Sequence, residues 1–325
     1  MLDAEGARAR ANAMDQLRAG GGELGALHGI PITIKNHPPA ALPLSEESEL
    51  LVTQLLAAGA VIFGYTNTPE GASDVQTYNA KYGTTNNPHD LKRTPGGSSG
   101  GSAAALAAAM SPVEVGSDIG GSIRVPASHC GLFGHKPTFG IVVRRGTHGA
   151  HTAHPIGPGR DLSVRGPMAR SAEDLALLMG VIASPAPLES YWALDLPKPT
   201  KKTLAEYNIA VWGEQPGFPV CAEVSAAVAA VSAALLRCGA TVDDAARPDF
   251  DSAASHRLYL QLLGCTNTAK EAFTVGRQWE AHSRTASPEA EATLAAVDGN
   301  LWEIEDSDCK STSAVSPQTD SQGCL

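Results

Sequence analysis

The chain has 325 residues, 43% of them hydrophobic, with 24 basic against 34 acidic side chains and a formal net charge of −10. That is enough chain and apolar content to bury one large or two modest cores. The acidic balance offers no basic face to release counterions from phosphates, which argues against a nucleic-acid partner.

Residues 1–22, MLDAEGARARANAMDQLRAGGG, carry acids early and no apolar segment. They read as a helix over 3–19 ending at Gly20, Gly21 and Gly22, not as a secretion signal. GIPITIK, residues 29–35, alternates apolar and polar positions and predicts a short strand with Lys35 at its end. Ser45, with Glu46 and Glu47 behind it, predicts a helix start for the run through Leu50, Leu51, Leu55 and Leu56, and Gly59 closes it before a strand at 60–63. SAAALAAAM, residues 102–110, is a small-residue helix suited to close packing, and 112–116 is another strand. Ser171 with Asp174 marks the capped start of a helix over 169–183, after which a proline-bearing connector leads to a strand at 208–212, a helix over 221–238 and a strand at 240–242. Helices alternating with strands at these lengths predict an α/β fold with a largely parallel sheet covered on both faces. From residue 284 the chain is polar and aperiodic, and poor order is expected over 284–325.

Six cysteines, at 130, 221, 238, 265, 309 and 324, form no CxxC pair, so neither a zinc site nor a disulfide framework is expected. With no run approaching a membrane span, the expectation is a soluble, cytoplasmic protein with no membrane association. His148, His151 and His154 lie in a glycine and proline loop with no helix to gather them on one face, which argues against a metal site. Trp192 and Trp212 are expected to be packing residues.

Two clusters of serine and glycine stand close together, TPGGSSGGS at 94–102 and GSDIGGSIR at 116–124. A phosphate cradle would need GxGxxG or GxxxxGK[ST] after a strand, and no lysine follows Gly100 and Gly101. Gly96 to Gly100 satisfies GxSxG, but the apolar strand that holds such a serine on its turn is missing. Ser307 and Lys310 satisfy SxxK, yet they stand in the polar tail. The remaining reading joins both clusters to Lys35. A serine needs something to take its proton, and a lysine can do so when burial populates its neutral amine. A strand-end lysine that snorkels to solvent is the competing reading.

LHGIPITIK (27–35), GYTNTPEGA (64–72), YGTTNNPHDLKRTPGGSSGGSAAALAA (82–108), VGSDIGGSIRVPASHCGLFGHKPT (115–138) and VRGPMARSAEDLA (164–176) together resemble the amidase signature family of serine hydrolases. The resemblance spans residues 3 to roughly 270. It implies the amidase signature fold, a mixed, largely parallel β-sheet with helices on both faces, over a domain of residues 1–283. It also implies a Ser-cisSer-Lys triad with Ser122 as nucleophile, Ser98 as the bridging serine after a cis peptide, and Lys35 as base. The backbone of Ile119, Gly120, Gly121 and Ser122 would form the oxyanion hole, with Ser99, Ser117, Asp118 and Arg124 supporting it. No cofactor or metal is implied.

The chain departs from the family in three places. Lys35 is followed by Asn36-His37-Pro38-Pro39, and the next helix comes early; His135 stands where the family usually has an apolar residue; and the closing region of the family has no counterpart after residue 284. The resemblance is therefore to a shortened member. It implies hydrolysis of a small or aryl carboxamide through an acyl-enzyme on Ser122. Two alternatives are a catalytically impaired homologue and the amidase subunit of a tRNA-dependent amidotransferase. The expected partner is a small-molecule amide, and oligomeric state leaves no mark in the sequence.

Overall fold

The computed structural model describes residues 2–35, 50–142, 162–183, 194, 196–215, 217–249 and 251–266. The histidine loop, Trp192, the SxxK pair, the segment after Lys35 and the polar tail lie outside the described residues. The chain divides into two compact units, Met1–Leu194 with Gln261–Leu325, and Asp195–Leu260.

The first unit opens with helix α1 (Ala4–Ala19), whose N-cap Asp3 accepts from the Gly6 N–H, satisfying one of the donors a helix start leaves open. Its buried residues Ala7 and Met14 pack on Val61 of strand β2 (Val61–Thr66). Strand β1 (Pro31–Lys35) pairs with β2 in parallel, with a register shift between Ile32 and Thr33. Helix α2 (Leu50–Ala57) precedes β2, and its Leu51, Val52 and Leu55 are buried. A short antiparallel pair, β3 (Tyr78–Asn79) and β4 (Gly83–Thr84), leads toward helix α3 (Gly100–Ala107).

Strand β5 (Val113–Asp118) lies beside β1 and is buried along its whole length. It pairs antiparallel with β7 (Val164–Ala169), which in turn pairs antiparallel with β6 (Phe133–Gly134). Helix α4 (Arg124–His129) and helix α5 (Ala172–Ile182) complete the unit, α5 being capped by Ser171, which accepts from the Asp174 N–H at 3.0 Å. A core of Ala103, Leu106, Ile123, Ala127, Cys130 and Met168 joins α3, α4 and β7, and Arg170 ties the end of α3 to the start of β5 by donating to Leu106 O and Ser111 O.

The second unit holds strand β8 (Asn208–Ala210), helix α6 (Ala222–Arg237) and strand β9 (Thr241–Asp243), with β8 and β9 parallel. Helix α7 (Ser252–Thr266) follows, its residues up to Leu260 belonging to this unit. Strand pairing is thus mixed. The parallel pairs are β1–β2 and β8–β9, while the three-stranded ladder around β5 is antiparallel. That ladder follows from β7, a strand interrupted in sequence by Gly166 and Pro167 and therefore not legible as one.

Candidate active site

Lys35 is the last residue of β1 and is 2% exposed. The competing picture of a lysine snorkelling to solvent does not hold. Its Nζ lies 2.7 Å from Ser98 Oγ, 2.9 Å from Ser117 Oγ and 3.4 Å from Ser117 O. Burial holds the amine's pKa well below the usual lysine range, the Arg165 guanidinium pushes it further down, and the Asp118 carboxylate opposes both.

Ser98 precedes α3 in a loop that is buried from Pro95 to Gly100, and the peptide joining Gly97 to Ser98 is cis. The glycines here serve close approach. A Cβ on Gly101 would stand 2.4 Å from both the N and the O of Asn67, whose carbonyl accepts the Gly101 N–H. Ser99, fully buried, donates its backbone N–H to Ser122 O at 3.2 Å and its hydroxyl to Ser117 O at 3.4 Å. The two glycine clusters are thereby stitched together at Ser99, Ser117 and Ser122.

Asp118 ends β5 and organises the turn that follows. Its Oδ1 accepts from Gly121 N–H at 2.8 Å, its Oδ2 from Ile123 N–H at 3.1 Å, and Arg124 donates to both oxygens through Nε and Nη2 at 3.0 and 2.9 Å. Burial by itself would raise the Asp118 carboxyl, but the Arg124 fork and the two amides hold it below the usual range. Gly121 takes φ +113 in this turn, a left-handed conformation that favours glycine.

Ser122 is half-buried at the end of the turn. Among the described residues no hydrogen bond joins its hydroxyl to Ser98. The structure thus brings Lys35, Ser98, Ser99 and Ser117 into one network and fastens Ser122 to it through backbone. One of the expected oxyanion donors is engaged elsewhere in this structure. Gly121 N–H is already committed to Asp118 Oδ1, because the same carboxylate that shapes the turn consumes it. Ile119, Gly120 and Ser122 remain as candidate donors.

Sequence reasoning missed two buried ionisable residues near this network. Glu114 on β5 is fully buried and accepts from the Thr33 hydroxyl, and Arg165 on β7 pairs across from Ser117. The alternation rule places charged strand residues on a solvent face, and β5 has none. His135 is exposed, so its departure from an apolar residue costs no core packing. Trp212 is not a packing residue: it is 42% exposed and, with Phe218, His256 and Tyr259, lines a cavity of about 460 Å³ in the second unit.

The family model described as Amidase matches residues 42–298. A glutamyl-tRNA(Gln) amidotransferase subunit from Cyanothece sp. (strain PCC 7425) is 45% identical over 210 residues, 61% of this chain and 42% of that protein. AtzE of Pseudomonas sp. (strain ADP), which belongs to a 1-carboxybiuret hydrolase, is 40% identical over 216 residues, 62% of this chain and 45% of that protein. Among solved structures, the peptide amidase of Stenotrophomonas maltophilia superposes with a TM-score of 0.65 at 26% identity, covering 99% of this chain and 68% of that one. The chain spans about half the length of the curated relatives it matches. No helix among the described residues is long and apolar enough to cross a membrane. The match of the family model over most of the chain, on a fold shared with solved members, places this protein in the amidase family, the amidase signature enzymes.

Proposed function

We propose that this chain hydrolyses a small or aryl carboxamide to a carboxylic acid and ammonia or an amine, through an acyl-enzyme on Ser122. The observation that carries the reading is the buried Lys35 amine, 2.7 Å from Ser98 Oγ. A neutral amine has two hydrogens and one lone pair. The two hydrogens suit Ser117 Oγ and Ser117 O, which leaves the lone pair facing Ser98.

Ser98 O–H then donates to Lys35 Nζ, and as Ser122 Oγ attacks the carbonyl carbon its proton passes to Ser98 Oγ, the Ser98 proton moving to the amine. The tetrahedral oxyanion is received by N–H groups among Ile119, Gly120 and Ser122, each such donor being worth about 3 kcal/mol of barrier. Collapse breaks the C–N bond, and the proton held by Lys35 returns through Ser98 to the departing nitrogen. Water, giving its proton along the same relay, cleaves the ester and restores Ser122. Asp118 shapes the turn and Arg124 holds Asp118; neither is assigned a proton.

A fluorophosphonate probe tests the reading on the full chain. Labelling that disappears in Ser122→Ala and falls at least a hundredfold in Lys35→Met supports it. A folded protein with no labelling refutes it and favours the impaired homologue. The 45% identity to a component of an amidotransferase favours one second reading, in which ammonia passes to a partner. Ammonia release from simple amides by the isolated chain separates the two, because an amidotransferase component would need that partner.

A further inference from the structure

Arg165 has no part in the mechanism above. It stands on β7 directly opposite Ser117 of β5, and antiparallel residues paired in this way project to the same face with Cβ atoms about 5 Å apart. Ser117 is the residue whose hydroxyl and carbonyl both face Lys35 Nζ, at 2.9 and 3.4 Å. Arg165 is itself only 5% exposed, so its guanidinium stays inside the protein, on a strand separated from that of Lys35 by β5 alone. A second buried cation nearby disfavours the charged form of an amine, and of the two groups only the amine can respond by losing its proton. The guanidinium keeps its proton at any pH the fold survives, whereas a lysine amine does not.

We propose that Arg165 is a positioning residue that helps keep Lys35 uncharged, acting as a fixed buried cation held across the intervening strand β5. The proposal rests on the reading of Lys35 as the base. The other ionisable groups packed around Lys35 do not supply this push. Among the described residues β2 brings only Tyr65 and α3 brings none. Strand β5 brings Glu114, held neutral by burial, and Asp118, whose charge favours the protonated amine but is engaged by Arg124. The direction of the Lys35 shift agrees, with burial its largest cause and Arg165 the next.

The test follows the Lys35 amine by NMR of the full chain labelled with 15N-lysine, the signal being assigned with Lys35→Met. Arg165→Met is expected to raise the titration midpoint of Lys35 by about one to two pH units. Fluorophosphonate labelling of Ser122 at neutral pH should fall by the matching factor, about ten- to a hundredfold, and recover as the pH is raised. Arg165→Lys keeps a cation that can itself lose its proton, so a smaller rise in the same direction is expected, and this variant decides the question if Arg165→Met fails to fold. An unmoved midpoint in a folded variant, with labelling reduced equally at every pH, overturns the proposal and leaves Lys35 as the base. Failure of the base reading looks different: Ser122 labelling is then indifferent to Lys35→Met, while the midpoint still decides whether Arg165 acts on the amine.

Discussion

Glu114→Gln should make the protein more stable, and increasingly so as the pH rises. The carboxyl is fully buried on β5, and burial pushes it up to about 8 from its ordinary 4.5, against the pull of the Thr33 and Ser102 hydroxyls. Thr33 acts through a formed hydrogen bond to Oε1 and Ser102 only by proximity, since Oε2 has no hydrogen-bond partner among the described residues. Between pH 4.5 and about 8 the folded chain therefore holds a proton that the unfolded chain has released. Over that window the contribution of Glu114 to stability falls by about 1.4 kcal/mol per pH unit, and above it the loss levels off. The total is about 5 kcal/mol, a large fraction of the stability of an ordinary domain. Glutamine keeps the shape and a carbonyl for Thr33 but releases no proton. Urea unfolding followed by circular dichroism at pH 5 and pH 8 should show the gap between variant and wild type widening by about 3 kcal/mol in favour of the variant. Parallel stability curves for the two proteins across that range would refute the assignment of a neutral, buried Glu114.

Two further outcomes follow from the site's packing. Gly101→Ala puts a methyl group 2.4 Å from the backbone of Asn67, which cannot swing aside as a side chain would; a loss of about 1–3 kcal/mol is expected from the urea midpoint, together with weaker fluorophosphonate labelling. Asp118→Asn keeps one oxygen for an amide but loses the charge that Arg124 meets. With Arg124 half exposed, its stability cost should stay near 1 kcal/mol, while labelling of Ser122 should fall more than tenfold because the turn at Gly121 and Ile123 is no longer held on both sides.

Much of the candidate site was legible in the sequence. The alternation in PITIK exposed Lys35 as a strand end, and the paired glycine clusters marked a place where backbone must approach backbone, as Gly101 and Asn67 do. What stayed hidden was set by tertiary neighbours. Strand β5 runs two residues further than its apolar stretch because Ser117 and Asp118 find ladder partners in Arg165 and Val164. Helix α4 begins just after the Asp118 turn and carries Pro126 at its third position, so nothing in its six residues announces a helix. Strand β7 hides behind Gly166 and Pro167, and with it Arg165. Glu114 reads as an ordinary solvent-facing strand residue until both faces of β5 prove to be covered.

Asp118, Lys35 and Glu114, three buried ionisable groups of the first unit, divide into two kinds, and the division has a measurable signature. Asp118 keeps its charge because Arg124 and two amides meet it. Lys35 and Glu114, on neighbouring strands, are instead both driven toward their neutral forms, each hydrogen-bonded to hydroxyl groups, with the Asp118 charge only partly opposing the shift at Lys35. Their effects on stability run in opposite directions. A lysine whose pKa is lowered in the fold gains stability as the pH rises toward 10.5, since the unfolded chain then holds the proton that the folded one lacks. Glu114 loses stability over pH 4.5 to about 8 for the converse reason. In the wild type the two slopes offset one another wherever their windows overlap. Lys35→Met should leave the Glu114 slope standing alone and give a protein whose stability falls with pH, whereas Glu114→Gln should leave the Lys35 slope and give one whose stability rises. If the two residues were instead an ion pair, each substitution would strand a buried charge and both variants would be destabilised near neutral pH by about 3–5 kcal/mol.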